Sequence, residues 1–173
     1  MPVQEFGNAF STFVAQNFGA GRHGRIRRGI RRAVVLAVAF SIAVSVPVFL
    51  FADDLIGIFV PSGEEEITGI GARYLRIEGA FYAGIALLFL LYGYYRAVRM
   101  PAMSVVLTVL SLGTRVVLAY WLASLPMGTD GIWWSIPIGW ALADAVGIGY
   151  YMVLRGRRVS GRAAAMTRNA DKC

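Results

Sequence analysis

The chain has 173 residues, of which 57% are hydrophobic and only 16% are charged, and its formal net charge is +7. Soluble domains carry about 25% charged residues, so this composition excludes an ordinary soluble domain and indicates a protein embedded in a lipid bilayer. Because the basic residues are confined to segments between uncharged runs, we expect anionic lipid headgroups, and not nucleic acid, as their counter-charge.

The first candidate membrane helix covers residues 2–18 and is the weakest. Phe6, Phe10 and Phe13 recur at helical spacing, while the opposite face is small and polar. Such a helix would line the interior of a bundle or an aqueous cavity; an amphipathic helix lying flat on the membrane is the alternative. Gln16 and Asn17 end the segment, where their amides either face a cavity mouth or cap the helix.

A basic cluster separates this segment from the next apolar run. Short loops rich in Lys and Arg are retained on the cytoplasmic side of a membrane, so the cluster predicts a cytoplasmic loop. The turn into the loop is expected at Gly19, Ala20 and Gly21, which suit a helix end. The arginines of the predicted loop are Arg22, Arg25, Arg27, Arg28, Arg31 and Arg32.

Four further runs are long and apolar enough to cross a bilayer. The first, 34–52, has 19 residues without a charge, which as a helix is about 28 Å long and close to the thickness of the hydrocarbon core. The others cover about 77–95, 102–125 and 131–154. With residues 2–18 they predict an all-α integral membrane protein of about five transmembrane helices.

The charges between these runs alternate in sign and predict the topology. Most basic residues fall in the segments before 34, near 96–101 and after 155, whereas the intervening segments are acidic. We therefore expect a multi-pass protein of the cell membrane whose C-terminus is cytoplasmic. Arg73 and Arg76 are exceptions on the outer side, where Glu78 is their expected local partner.

Two ionisable residues lie deep inside predicted spans. Arg115 and Asp144 would each cost about 2.5–3.5 kcal/mol to insert, so each needs a reason to be there. We expect them to approach one another or to line a polar cavity, as a structural ion pair or in transport. No nucleophile–base pair, phosphate-binding loop or Cys/His cluster is present, so the sequence predicts no enzyme, no cofactor and no metal site.

Three stretches together resemble one family. FSTFVAQNFGAGRHGRIRRG (10–29) resembles the second-half signature of the multidrug and toxic compound extrusion (MATE) transporters, in which a helix ending in Gln-Asn-x-Gly-Ala-Gly leads into a basic cytoplasmic loop. YLRIEGAFYAGIALLFLLYGYYRAVRMP (74–101) is similar to that family's tenth helix and the loop after it. TRVVLAYWLA (114–123) and GTDGIWWSIPIGW (128–140) are similar to its eleventh helix and the entry to its twelfth. The matched signature residues are Gln16, Asn17, Gly19, Ala20 and Gly21.

The resemblance implies more than the residues alone. Family members have twelve helices in two lobes, of which residues 2–155 would form helices eight to twelve, followed by a disordered basic tail over 156–173. The first lobe and seventh helix would be missing, so the resemblance implies a fragment whose Met1 is internal. The acid that one branch carries in the tenth helix is absent near Ile85.

The implied function is part of an H⁺- or Na⁺-coupled multidrug or metabolite efflux antiporter for cationic organic substrates. The chain would not be competent alone and would need its missing N-terminal lobe or a partner membrane subunit. The alternatives are a relative of the lipid flippases, or a membrane scaffold that packs against a separately encoded partner.

Overall fold

The protein is described by a computed structural model that covers residues 2–61, 63–126 and 128–170, with the backbone alone for residues 155–170. Seven helices account for the regular structure of these residues, and they follow one another with short connections. They are α1 (Pro2–Gly19), α2 (His23–Leu50), α3 (Ala52–Gly57), α4 (Glu65–Ala80), α5 (Tyr82–Ala97), α6 (Pro101–Ala123) and α7 (Thr129–Ala170).

The expected class, an all-α membrane protein, is confirmed, but the count of about five spans is too high. Within the described residues three helical segments are long and apolar enough to cross a membrane: α2, α6 and the Thr129–Leu154 part of α7. A fourth is obtained if α4 and α5, which meet at an angle of 49°, are counted as one broken span. The helix α1 does not qualify, because its glutamine, glutamate and asparagine residues lower its hydropathy.

The run predicted as a single span at 77–95 is divided at Phe81. There α4 ends and α5 begins, so the straight helix after the break, α5, is only about 24 Å long. The Phe81 ring packs against Trp134, with 5.5 Å between ring centroids. Just before the break, Gly79 is buried beneath Val48 of α2, which lies 3.2 Å from the position a Cβ would take. Because the sequence on both sides of this bend is apolar, the bend cannot be detected from hydropathy.

Helix α5 is the centre of the bundle, because it contacts α1, α2, α6 and α7. Leu88, Leu90 and Tyr95 are buried on it. The Tyr95 hydroxyl donates a hydrogen bond of 2.6 Å to the backbone oxygen of Gly147, which ties α5 to α7.

Small residues allow α1 and α5 to approach closely. A Cβ placed on Gly93 would lie 2.5 Å from the backbone oxygen of Gly7. A Cβ placed on Gly7 would in turn lie 2.7 Å from the backbone oxygen of Phe89. Close backbone approach at small residues is a main source of helix–helix affinity in a bilayer. This contact holds α1 against the bundle even though α1 is not apolar enough to qualify as a span.

Most of the basic cluster is helical and not an irregular loop, and its cytoplasmic location stays a prediction. Helix α2 begins at His23, so five of the six arginines lie on its first three turns. The connection is a tight turn in which Gly21 has a φ of +66°, and the Arg22 N–H donates 2.8 Å to the carbonyl of Asn17. Arginine is a good helix former, so nothing in the cluster interrupts α2 once the turn is complete.

The last helix runs past the predicted end of the membrane domain. Helix α7 continues to Ala170, beyond residue 155, and residues 171–173 lie outside the described part of the chain. The division of the chain at residue 155 and the disorder of the tail stay predictions.

Candidate functional site

A buried carboxylate lies where α5, α6 and α7 meet. Asp144 of α7 is only 7% exposed. Its Oδ2 lies 4.0 Å from the position that a Cβ would occupy on Gly84, so α7 presents this acid to a part of α5 that has no side chain. Its Oδ1 is buried and has no hydrogen-bond partner within the described residues. Buried polar atoms are nearly always paired, so an unpartnered oxygen marks a place where something else can bind.

The surroundings of Asp144 are mostly apolar. Trp140, one turn earlier on α7, is 8% exposed and lies 3.8 Å from the same Cβ position on Gly84. The polar groups nearby come from α5 and α6: Tyr92 interacts electrostatically with Asp144 and through its hydroxyl with Thr108. The carboxylate is therefore held in a largely dry environment with hydroxyl groups at its edge.

The predicted approach of Arg115 to Asp144 is not seen. Neither of the two ion pairs among the described side chains joins them, and Arg115 is exposed whereas Asp144 is buried. The Cβ of Arg115 packs 3.6 Å from the Cβ position of Gly139. Gly139 precedes Asp144 by more than one helical turn, or about 7.5 Å along α7. The charge of Arg115 acts instead on Glu78 of α4.

Glu78 is half-buried and is not the ion-pair partner of Arg73 or Arg76. It interacts with the hydroxyl of Tyr74 and with the charge of Arg115. Arg73 pairs with Asp130 at 3.2 Å, and Arg76 pairs with Asp53. These pairs join α4 to the start of α7 and to α3. Arg73 and Arg76, the two basic residues that depart from the charge pattern, are therefore each paired with an acid.

Gln16 and Asn17 are placed at the end of α1 in different environments. The Asn17 side chain is 8% exposed, and its Nδ2 donates 2.8 Å to the carbonyl of Phe13. Gln16 is exposed. Asn17 therefore bonds back to its own helix, to the carbonyl one turn earlier, and the roles of both amides stay predictions.

One feature escaped the sequence analysis, an open groove of about 560 Å³ between α1 and α2. We call it the Arg–Phe groove. Both sets of residues have helical spacing, and this shared spacing is the signal in the sequence that points to the groove. The groove is lined by Phe6, Phe10 and Phe13 of α1 and by Arg25, Arg28 and Arg32 of α2.

The architecture is that of a multi-pass helical membrane protein with a buried acid, Asp144, whose Oδ1 has no partner among the described residues. A family model described as MatE matches residues 1–121, more than half of the chain. The chain therefore belongs to the MatE family of membrane transporters. The match includes α1 to α5 and most of α6, so Gly84 lies inside it and Asp144 beyond it. No curated protein and no solved structure matches the chain.

Proposed function

We propose that this chain forms most of the second lobe of a cation-coupled antiporter that exchanges H⁺ or Na⁺ for organic cations, in the manner of multidrug or metabolite efflux. Membership of the MatE family gives the transporter class. The observation that carries the coupling is Asp144, an acid buried in the helical core with an oxygen that has no partner among the described residues.

The chemistry of coupling follows from the environment of Asp144. An ionised carboxylate in an apolar core loses its hydration, so its charge must be offset by a bound proton or a cation. The missing side chain at Gly84 leaves room for a small ion between α5 and α7. Binding and release of the ion at Asp144 would change the charge between α5 and α7. The ion-bound and ion-free forms of the protein would therefore differ in stability.

The proposal requires a further lobe that pairs with the bundle formed by this chain. Alternating access in such transporters arises from two bundles that rock against each other around a shared site. The described helices form one bundle around α5. The other, N-terminal lobe would come from further polypeptide of the same protein or from a separate subunit, so we expect no transport by this bundle alone. We place the C-terminus in the cytoplasm, as the positions of the basic residues support.

The test is gradient-driven uptake of a fluorescent organic cation. The protein is purified from its own membranes with any partner that accompanies it, and is reconstituted in vesicles under an H⁺ or Na⁺ gradient. Asp144→Asn should abolish the dependence on one of the two gradients. Asp54→Asn is the matched control, because the same change is made at an exposed acid of α3.

Two results would contradict the proposal. Uptake by Asp144→Asn that still follows the gradient would show that coupling occurs elsewhere. Absence of uptake under both gradients, with the copurified partner present and the protein folded, would contradict transport itself and favour a scaffold.

A further inference from the structure

The Arg–Phe groove has a basic end and an apolar end. Helices α1 and α2 are antiparallel neighbours. The Phe18 ring lies 6.0 Å from that of His23, the Phe13 ring lies on Gly29, and the Phe6 ring lies 5.4 Å from that of Phe40. Moving from Phe18 towards Phe6 therefore leads from the arginines of α2 to its uncharged run.

The apolar end has side chains free to receive a hydrocarbon chain. Leu36 is 59% exposed at this end, and Phe13, which lies on Gly29 beside the arginines, is 37% exposed. Phe10, which also lines the groove, is buried. Gly29 lets the Phe13 ring lie directly against α2, because a Cβ at this position would collide with that ring. The two helices are therefore in close contact beside the groove.

The basic end lacks a counter-charge of its own. Arg25, Arg28 and Arg32 are exposed, and neither ion pair among the described side chains includes any of them. Spacings of three and four residues place them on one face of α2, where like charges repel and destabilise the helix. An anion bound among them would remove this repulsion and use arginine's ability to bind phosphate through two parallel hydrogen bonds.

We propose that the Arg–Phe groove binds an acidic phospholipid. The phosphate would lie among the three arginines, and an acyl chain would follow the phenylalanines towards Leu36. The change from Arg32 to the uncharged run at Ala33 occurs within the groove, as the boundary between headgroup and hydrocarbon requires. A volume of about 560 Å³ is within the usual range for a small-molecule site. The proposal does not depend on the proposed transport.

The experiment compares two variants with the same loss of charge. Arg25→Gln/Arg28→Gln/Arg32→Gln alters the groove, whereas Arg22→Gln/Arg27→Gln/Arg31→Gln removes three arginines that do not line it. The full chain in mild detergent is titrated with dioleoyl phosphatidylglycerol or dioleoyl phosphatidylcholine, and bound lipids are counted by native mass spectrometry. Leu36→Trp, at an exposed position, fills the apolar end without changing the charge.

We expect phosphatidylglycerol to bind at least about tenfold more tightly than phosphatidylcholine, a preference lost in the groove variant and kept in the control variant. Leu36→Trp should weaken binding of phosphatidylglycerol while circular dichroism shows the helices intact. If the two arginine variants lose the preference for phosphatidylglycerol equally, the proposal is overturned in favour of a diffuse basic surface. Full competition by millimolar inorganic phosphate would overturn it in favour of a simple anion site. Exclusion of lipid by a copurified protein or a second copy in the groove would also overturn it.

Discussion

Replacing Gly93 with alanine should separate α1 from α5. The added Cβ would lie 2.5 Å from the backbone oxygen of Gly7 and 3.4 Å from the Cβ of Ser11. Because the first contact is with backbone, no rotamer change can relieve it, and α1 must move away by roughly 0.5–0.9 Å. A gap of that size forfeits about a quarter to a half of the dispersion energy of the atoms it separates. We expect a loss of about 1–3 kcal/mol in the free energy of unfolding, as for other overpacked sites.

The assay is unfolding of the purified protein in mixed micelles as the fraction of sodium dodecyl sulfate rises, followed by tryptophan fluorescence. Gly149→Ala is the matched control, because it makes the same change in α7 where a Cβ would meet nothing within 4 Å. This control should be neutral or stabilising by up to about 1 kcal/mol, since alanine favours a helix. Equal unfolding midpoints for the two variants would refute the close packing of α1 on α5.

Three smaller changes should separate buried from exposed interactions in the same assay. Tyr95→Phe should cost about 1–3 kcal/mol because it removes the fully buried hydrogen bond to the Gly147 carbonyl, and an unchanged midpoint would contradict that bond. Ser41→Ala should be neutral or stabilising by about 1 kcal/mol, since the fully buried Ser41 hydroxyl has no partner among the described residues; a clear loss of stability would reveal one. Arg73→Gln should cost less than about 1 kcal/mol, because the pair with Asp130 is largely exposed, and the cost should fall as salt is added. A cost that salt leaves unchanged would contradict that reasoning.

The sequence was sufficient for those features that hydropathy controls. The runs 102–125 and 131–154 correspond to α6 and to the apolar part of α7 within about two residues. Hydropathy does not report whether a backbone bends, so the break at Phe81 was not predictable from it. The rule relating basic segments to the cytoplasmic side predicts a location and not a conformation, which is why the helical start of α2 was missed.

Arg115 and Asp144 show that the depth of a residue in a span does not determine how its charge is stabilised. Both residues lie well inside apolar segments, so the charge of each needs a compensating partner. The face of the helix on which the residue lies decides which kind of partner can reach it. Arg115 shares its face with the exposed Leu112 and is followed by the exposed Val116, whereas Asp144 lies beside the buried Ala143 and Gly147.

This difference in helix face changes how each charge can be stabilised. An exposed arginine can extend its long side chain along the surface of the bundle, and the charge of Arg115 acts electrostatically on Glu78. A short, buried aspartate has no such freedom, which is why the proposed function assigns the binding of a small ion to Asp144. Of the two ionisable residues in these spans, Asp144 is therefore the one suited to reversible binding, and Arg115 is the one suited to a fixed electrostatic contact.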